Sequence, residues 1–156
     1  YNNTFTGLFH DLPEVLTRDI ISPVKNSVEG LGDLIKECEK EQMQAIVYPL
    51  LPENLQNEMR LYTETEFEDY IIDNKKMKLT STAEINSLYN SSKYNPRDGK
   101  LVKAADELSA LIEADIAIKN GSIHEEFHTA KNKLKNKYIK MEKIGNIDMA
   151  KLFGSF

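Results

Sequence analysis

The hydrophobic positions of this chain recur at spacings of three and four residues, which is the period of an amphipathic α-helix. One such stripe runs through Val24, Val28, Leu31, Ile35 and Cys38. A broader apolar face lies further along the chain and comprises Leu101, Ala105, Leu108, Leu111, Ile112, Ile116 and Ile118. No stretch carries a firm strand pattern. The periodicity therefore predicts an all-α fold, a compact bundle of about five to seven helices.

Prolines and glycines indicate where these helices begin and end. Tyr48–Pro52 breaks the chain, and Pro52 is suited to open a further helix that runs towards Ile71. The long apolar helix should end at Asn120, with Gly121 in a left-handed conformation. The carboxylates before residue 70 are expected to form a solvated face; they are Glu64, Glu66, Glu68 and Asp69.

Residues 73–99 form the least regular stretch, because turn-forming residues are frequent there. A short helix from Ala83 to Tyr89 is compatible with the pattern, capped by Ser81 or Thr82. Two interpretations stay open: the stretch shapes the mouth of an active site, or it is a mobile surface insertion.

Composition narrows the class of protein. The chain has 156 residues, of which 40% are hydrophobic and 29% charged, so we expect a single globular domain over residues 1–156. The net charge of -5 argues against non-specific binding to nucleic acids or acidic membranes. Cys38 is the single cysteine, and no signal peptide or membrane-spanning run is present in the sequence. An intracellular, cytoplasmic protein is the simplest interpretation. The sequence leaves a homodimer open.

The candidate chemistry is concentrated near the start of the chain, where His10 and Asp11 are adjacent. An imidazole nitrogen and a carboxylate oxygen can both bind one metal ion placed at a helix end. Pro13 should interrupt the helix at this point and open the next one. The alternative is that Asp11 and Glu14 only supply the negative charge that a helix N-terminus favours.

The wider pattern resembles the HD-domain metal-dependent phosphohydrolases, whose ligands run His … His-Asp … Asp along the chain. It is most similar to the YfbR-like 5'-deoxynucleotidase branch, in which further polar residues follow the His-Asp pair. The matching positions here are Glu14, Thr17, Asp19 and Pro23-Val24-Lys25. The final aspartate of the pattern matches Asp106, within the run Lys100 to Ala110.

This resemblance implies the site and its activity. His10, Asp11 and Asp106 would bind one divalent cation, either manganese, cobalt, iron or magnesium. Glu14 and Asp19 would act as the acid/base and water-positioning residues, and Lys25 could contact phosphate or simply lie at the surface. The implied substrate is a small-molecule nucleotide, a nucleoside or deoxynucleoside 5'-monophosphate.

One ligand of the pattern has no counterpart, because only nine residues precede His10 and none of them is histidine. The sequence is therefore expected to be a fragment that lacks its N-terminal helix or helices, and that is itself inactive or much less active than the extended protein. The other explanation is a degenerate site in an inactive HD-fold module with a binding or regulatory role.

Two local alternatives remain. His124, Glu125 and His128 have the HExxH spacing of zinc peptidases, although the lysines that follow favour a solvated basic helix. Asp106 could also be held by a salt bridge to Lys103 instead of a metal. The amphipathic tail over residues 131–156 is expected to dock on the bundle.

Overall fold

The computed structural model describes residues 1–18, 20, 28–74 and 76–156. Their contacts divide the chain into two compact units, Tyr1–Glu66 and Phe67–Phe156, and each is described by itself. The predicted all-α fold is confirmed, since helices dominate the described residues of both units and the strands found among those residues form only two short hairpins. Among the described residues, no helix combines the length and the apolar character needed to cross a membrane. The expectation of a single domain stays a prediction.

The described part of the first unit consists of helices joined by turns. Its α-helices are α1 (Asn2–Phe9), α2 (Glu14–Thr17), α3 (Leu31–Gln42) and α4 (Glu53–Thr63). α3 continues into a π-helical turn, Met43–Val47, and a 3₁₀ turn, Tyr48–Leu50. Pro52 precedes α4 as predicted, but α4 ends at Thr63 and does not reach Ile71.

Aromatic stacking joins α1 to α4. The ring of Tyr62 on α4 lies 6.0 Å from that of Phe5 and 6.4 Å from that of Phe9, both roughly parallel. Ring pairs at these distances pack favourably beyond the area they bury. The C-terminal end of α1, where His10 follows, is therefore held against α4.

Tyr48 is the buried anchor of the chain break between α3 and α4. Its hydroxyl donates to Glu64 at 3.0 Å, and the Arg60 guanidinium stacks 4.0 Å from the centre of its ring. Burial raises the pKa of the Tyr48 hydroxyl above its usual value, and the Glu64 charge adds to this. Tyr48 therefore stays neutral and acts as a hydrogen-bond donor.

The second unit combines helices with two antiparallel hairpins. The first hairpin pairs β1 (Tyr70–Asp73) with β2 (Lys76–Leu79), and the second pairs β3 (Lys143–Ile144) with β4 (Ile147–Asp148). Its α-helices are α5 (Thr82–Glu84), α6 (Gly99–Lys119), α7 (Glu125–Met141) and α8 (Met149–Gly154). α5 continues into a π-helical turn, Ile85–Tyr89, and a 3₁₀ turn follows at Ser92–Tyr94. Gly121 follows α6 at φ +90°, as predicted.

The core of the second unit lies between α6, α7 and α8. Tyr138 and Phe153 stack with their ring centres 3.9 Å apart, and both are buried. The remaining buried members of this cluster are Ala104, Leu111, Ile144 and Met149. The amphipathic tail therefore docks on α6, as predicted.

The start of α6 is fixed by buried charges. Arg97 is fully buried; its guanidinium lies 4.3 Å from the centre of the Tyr70 ring, and its Nε donates to the Glu68 carbonyl. The main chains of Tyr70 and Arg97 also exchange two hydrogen bonds, at 2.9 and 3.0 Å. A buried guanidinium is tolerated because these contacts replace its hydration.

Two buried aspartates cap the same helix start. Asp98 accepts from the Leu101 amide at 2.9 Å, while Asp69 accepts from the amides of Thr82 and Lys100. The Thr82 hydroxyl lies within hydrogen-bond distance of both carboxylates. Burial raises the pKa of Asp98, and the nearby Asp69 charge adds to that rise.

These contacts correct two expectations. Asp69 is buried and bonded, so it does not belong to a solvated acidic face. The stretch 73–99 also contains Thr82, Ile85, Arg97 and Asp98, all of them buried. That part of the chain supplies buried residues to the second unit and is not a mobile surface insertion. The short helix that Ser81 caps lies within it.

Gly99 provides a sharp test of how tightly α6 begins. A Cβ at this position would overlap the carbonyl group of Phe67 and lie 2.6 Å from the carbonyl carbon of Glu68. Gly99→Ala should therefore lower the free energy of unfolding by about 3 kcal/mol, although alanine is the better helix former. Urea denaturation measures this change.

Gly7→Ala is the matched control, because Gly7 also lies in a helix but a Cβ there meets nothing within 4 Å. It should raise stability by about 0.5–1 kcal/mol. Equal effects of the two substitutions would show that α6 does not rest on the main chain of Phe67 and Glu68.

A second test uses Asp115, a buried carboxylate that forms ion pairs with Lys119 and, across the α6–α7 hairpin, with Lys131. These lysines lower the pKa of Asp115. The carboxylate therefore stabilises the fold above its unfolded pKa of about 3.9, and this contribution is lost as the pH falls through the lower folded value.

Asp115→Asn should consequently cost most stability at neutral pH, and the difference from the unmodified protein should shrink below about pH 4. Urea denaturation at pH 7, 5 and 3.5 measures this difference in the free energy of unfolding. Glu113→Gln is the control, since Glu113 is an exposed carboxylate of the same helix. A pH-independent loss for Asp115→Asn would contradict the ion-pair assignment.

Candidate metal centre

His10 and Asp11 lie in the turn that joins α1 to α2. The His10 amide donates to the Thr6 carbonyl at 2.9 Å and closes α1. Pro13 then precedes α2, with φ at −59°. The sequence places both residues at this junction for a physical reason: Pro13 has no amide hydrogen to continue α1 but suits the start of α2.

The imidazole of His10 has a defined orientation. Its Nδ1 lies 3.1 Å from the Gly7 carbonyl oxygen, and since a carbonyl only accepts, Nδ1 must carry the hydrogen. Nε2 lies 3.2 Å from Oδ1 of the Asp11 carboxylate. An Nδ1–H bonded to a backbone carbonyl is the arrangement that orients metal-binding histidines.

The donor atoms of this pair fit a shared cation. Adjacent ligands in an octahedral site with bonds of about 2.1 Å lie about 3 Å apart. The Nε2–Oδ1 distance of 3.2 Å is close to that value, and the Asp11 side chain is 67% exposed. The same distance also suits a direct ion pair when His10 is protonated.

Glu14 is the first residue of α2 and is half-buried. α2 is tied to α3 by the Thr17 hydroxyl, which donates to Glu39 at 3.4 Å. Asp19 and Lys25, the other predicted site residues near this helix, lie outside the described residues.

Asp106 lies on α6, two turns after Gly99, and its side chain is one-third exposed. The Lys103 ammonium donates to its Oδ2 at 2.8 Å. The salt bridge that the sequence offered as an alternative to metal binding is therefore present.

A second group of charges next to Asp106 was missed by sequence reasoning. Lys137 on α7 donates to both carboxylate oxygens of Glu107, at 2.8 and 2.6 Å. Burial raises the pKa of Tyr138, and the charges of Glu107 and Asp106 raise it further. Because Lys137 is thirty residues from Glu107, no local sequence signal could have paired them.

The structure brings together only part of the predicted ligand set. His10 and Asp11 are adjacent in the first unit, whereas Asp106 belongs to the second. Within neither unit do three or more His, Cys, Asp or Glu side chains of the described residues group as a metal site would require. The complete set remains a prediction.

The HExxH alternative gains little from the structure. α7 begins at Glu125, so His124 precedes the helix, with extended backbone, and does not share a helical face with His128. Both histidines are exposed. Among the residues described, no third ligand joins them, and zinc peptidases require one.

Comparison with known proteins identifies the family. A family model described as "HD domain" matches residues 2–141, a range that includes His10, Asp11 and Asp106. HD domains are in general metal-dependent phosphohydrolases. No curated protein matches the chain, and no solved structure does. Because the family model covers most of its length, the chain belongs to the HD-domain family.

Proposed function

We propose that this HD domain hydrolyses nucleoside or deoxynucleoside 5'-monophosphates with the help of one divalent cation. His10, Asp11 and Asp106 would hold that cation, together with a further histidine that the family pattern implies. The observation that carries the proposal is the geometry of His10, whose Nδ1–H is held by the Gly7 carbonyl while Nε2 faces Asp11 at 3.2 Å.

The donor set favours an oxygen- and nitrogen-binding ion, namely manganese, cobalt, iron or magnesium. The proposed ligands include no thiolate, and the single cysteine of the chain, Cys38, is an exposed residue of α3. When bound, such an ion polarises the phosphoryl group and lowers the pKa of a coordinated water. The net charge of -5 favours a small-molecule substrate over a nucleic acid or an acidic membrane.

Glu14 is the proposed proton-transfer residue. Hydrolysis joins a water oxygen to phosphorus and releases the 5'-oxygen of the nucleoside, so one proton must leave the water and one must reach the leaving oxygen. Glu14 follows Asp11 by three residues at the start of α2, which places its carboxyl group in the same short segment as the metal pair. Asp19 is proposed to position the water.

The alternative function is a non-catalytic HD-fold module that binds or regulates. One observation favours it: Lys103 already neutralises Asp106, so this carboxylate is compatible with a fold that holds no metal. Release of inorganic phosphate from nucleoside 5'-monophosphates separates the two. It should require a divalent cation and stop when a chelator is added.

The metal assignment predicts the effect of one substitution. In a protein that carries the upstream histidine implied by the family pattern, Asp106→Ala should abolish stoichiometric binding of Mn²⁺, because a carboxylate ligand is lost. Isothermal titration calorimetry measures this binding. His124→Ala should leave binding intact, since His124 is an exposed residue that precedes α7. If His124→Ala abolishes binding while Asp106→Ala does not, the metal lies at the start of α7.

The proton-transfer role of Glu14 predicts a kinetic effect. In the protein that carries the upstream histidine, Glu14→Gln keeps the side-chain shape but cannot accept a proton, so turnover should fall by about 10²–10⁴-fold. Affinity for Mn²⁺ should stay unchanged, which separates this role from metal binding. Turnover at the unmodified rate would mean that Glu14 only supplies charge to the N-terminus of α2.

A further inference from the structure

Lys103 is a partly exposed cation whose position is fixed on two sides. Its ammonium donates to Asp106 Oδ2 at 2.8 Å, and it lies 4.3 Å from the centre of the Phe67 ring. The carboxylate and the ring face hold the charge in one place, which is unusual for a flexible lysine. The side chain is nevertheless 39% exposed.

The ammonium has unused hydrogen-bonding capacity. A lysine side chain has three N–H donors, and Asp106 is the one hydrogen-bond acceptor that the described residues offer Lys103. The ring of Phe67 attracts the charge but accepts no strong hydrogen bond. The remaining donors are therefore available to a ligand that arrives from solvent.

We infer that Lys103 binds the phosphoryl group of the substrate beside Asp106. This inference rests on the proposed function, and it assigns a substrate-binding residue that the ligand pattern does not contain. The chemical reason is charge balance. A cation on Asp106 and the ammonium of Lys103 would share one carboxylate and repel each other. A phosphate that contacts both would relieve that repulsion.

Two other lysines that pair with carboxylates, Lys137 and Lys119, do not combine free donors with a place beside Asp106. Lys137 is bound by both carboxylate oxygens of Glu107. Lys119 is paired with Asp115 at 2.6 Å and lies sixteen residues further along α6. At a rise of about 1.5 Å per residue, that spacing is about 24 Å. Lys119 is therefore a matched control, an exposed lysine of the same helix with an aspartate partner.

The test compares Lys103→Met, Lys103→Arg and Lys119→Met with the unmodified protein. Calorimetry measures the affinity for Mn²⁺ alone, and then for inorganic phosphate with Mn²⁺ present. In Lys103→Met, phosphate should bind about 10- to 100-fold more weakly, because one charge-assisted hydrogen bond is lost. Its Mn²⁺ affinity should be unchanged or higher. Lys103→Arg should restore part of the phosphate affinity, and Lys119→Met should match the unmodified protein.

The other outcomes are distinct. Unchanged phosphate affinity in Lys103→Met overturns the inference, and so does a loss of Mn²⁺ affinity, which would make Lys103 an orienting partner of Asp106. If the protein still binds no Mn²⁺ when it carries the histidine that the family pattern implies, the proposed function fails. Phosphate titration without metal then decides: weaker binding by Lys103→Met than by Lys119→Met supports the inference, and equal or absent binding overturns it.

Discussion

The burial of Arg97 is the constraint on which the second unit depends. A guanidinium without water must find its partners in the protein, and the Tyr70 ring and the Glu68 carbonyl are two of them. The Glu68 carbonyl lies on the segment that leads into β1, and Tyr70 is the first residue of β1 itself. The same contact that satisfies Arg97 therefore fixes β1 against the residues that begin α6, and Asp69 and Asp98 cap that helix from the same side.

This anchoring matters for function because Asp106 lies two turns into α6. Side chains three or four residues apart share a helical face, so Lys103 and Asp106 project together once the helix start is fixed. The main chain of Phe67 approaches Gly99 closely, and the ring of the same residue contacts Lys103. One segment thus sets both the position of α6 and the charge beside the candidate ligand.

The sequence was informative where the decisive interactions are local. Helical periodicity predicted α6 and α7, and Pro13 placed the His10–Asp11 pair at a helix junction. The prediction from sequence was wrong for β1, because the short apolar run Tyr70–Ile72 fits the end of a helix as well as a strand. It also failed for Asp69, whose partners Thr82 and Lys100 are 13 and 31 residues away. Such pairings depend on the tertiary fold, and no local pattern records them.

Both halves of the candidate metal set are oriented by neighbours within their own unit. The Gly7 carbonyl fixes the tautomer and direction of His10, and Lys103 holds Asp106 Oδ2. For His10, orientation in this way removes rotamer freedom during folding, so less entropy is lost when a cation binds. The two contacts differ, however, in their effect on the binding of a cation. The Gly7 hydrogen bond can persist in a metal complex, whereas the ammonium competes with a cation for the same carboxylate. The Asp106 side of the site is therefore the one whose charge balance calls for an anion.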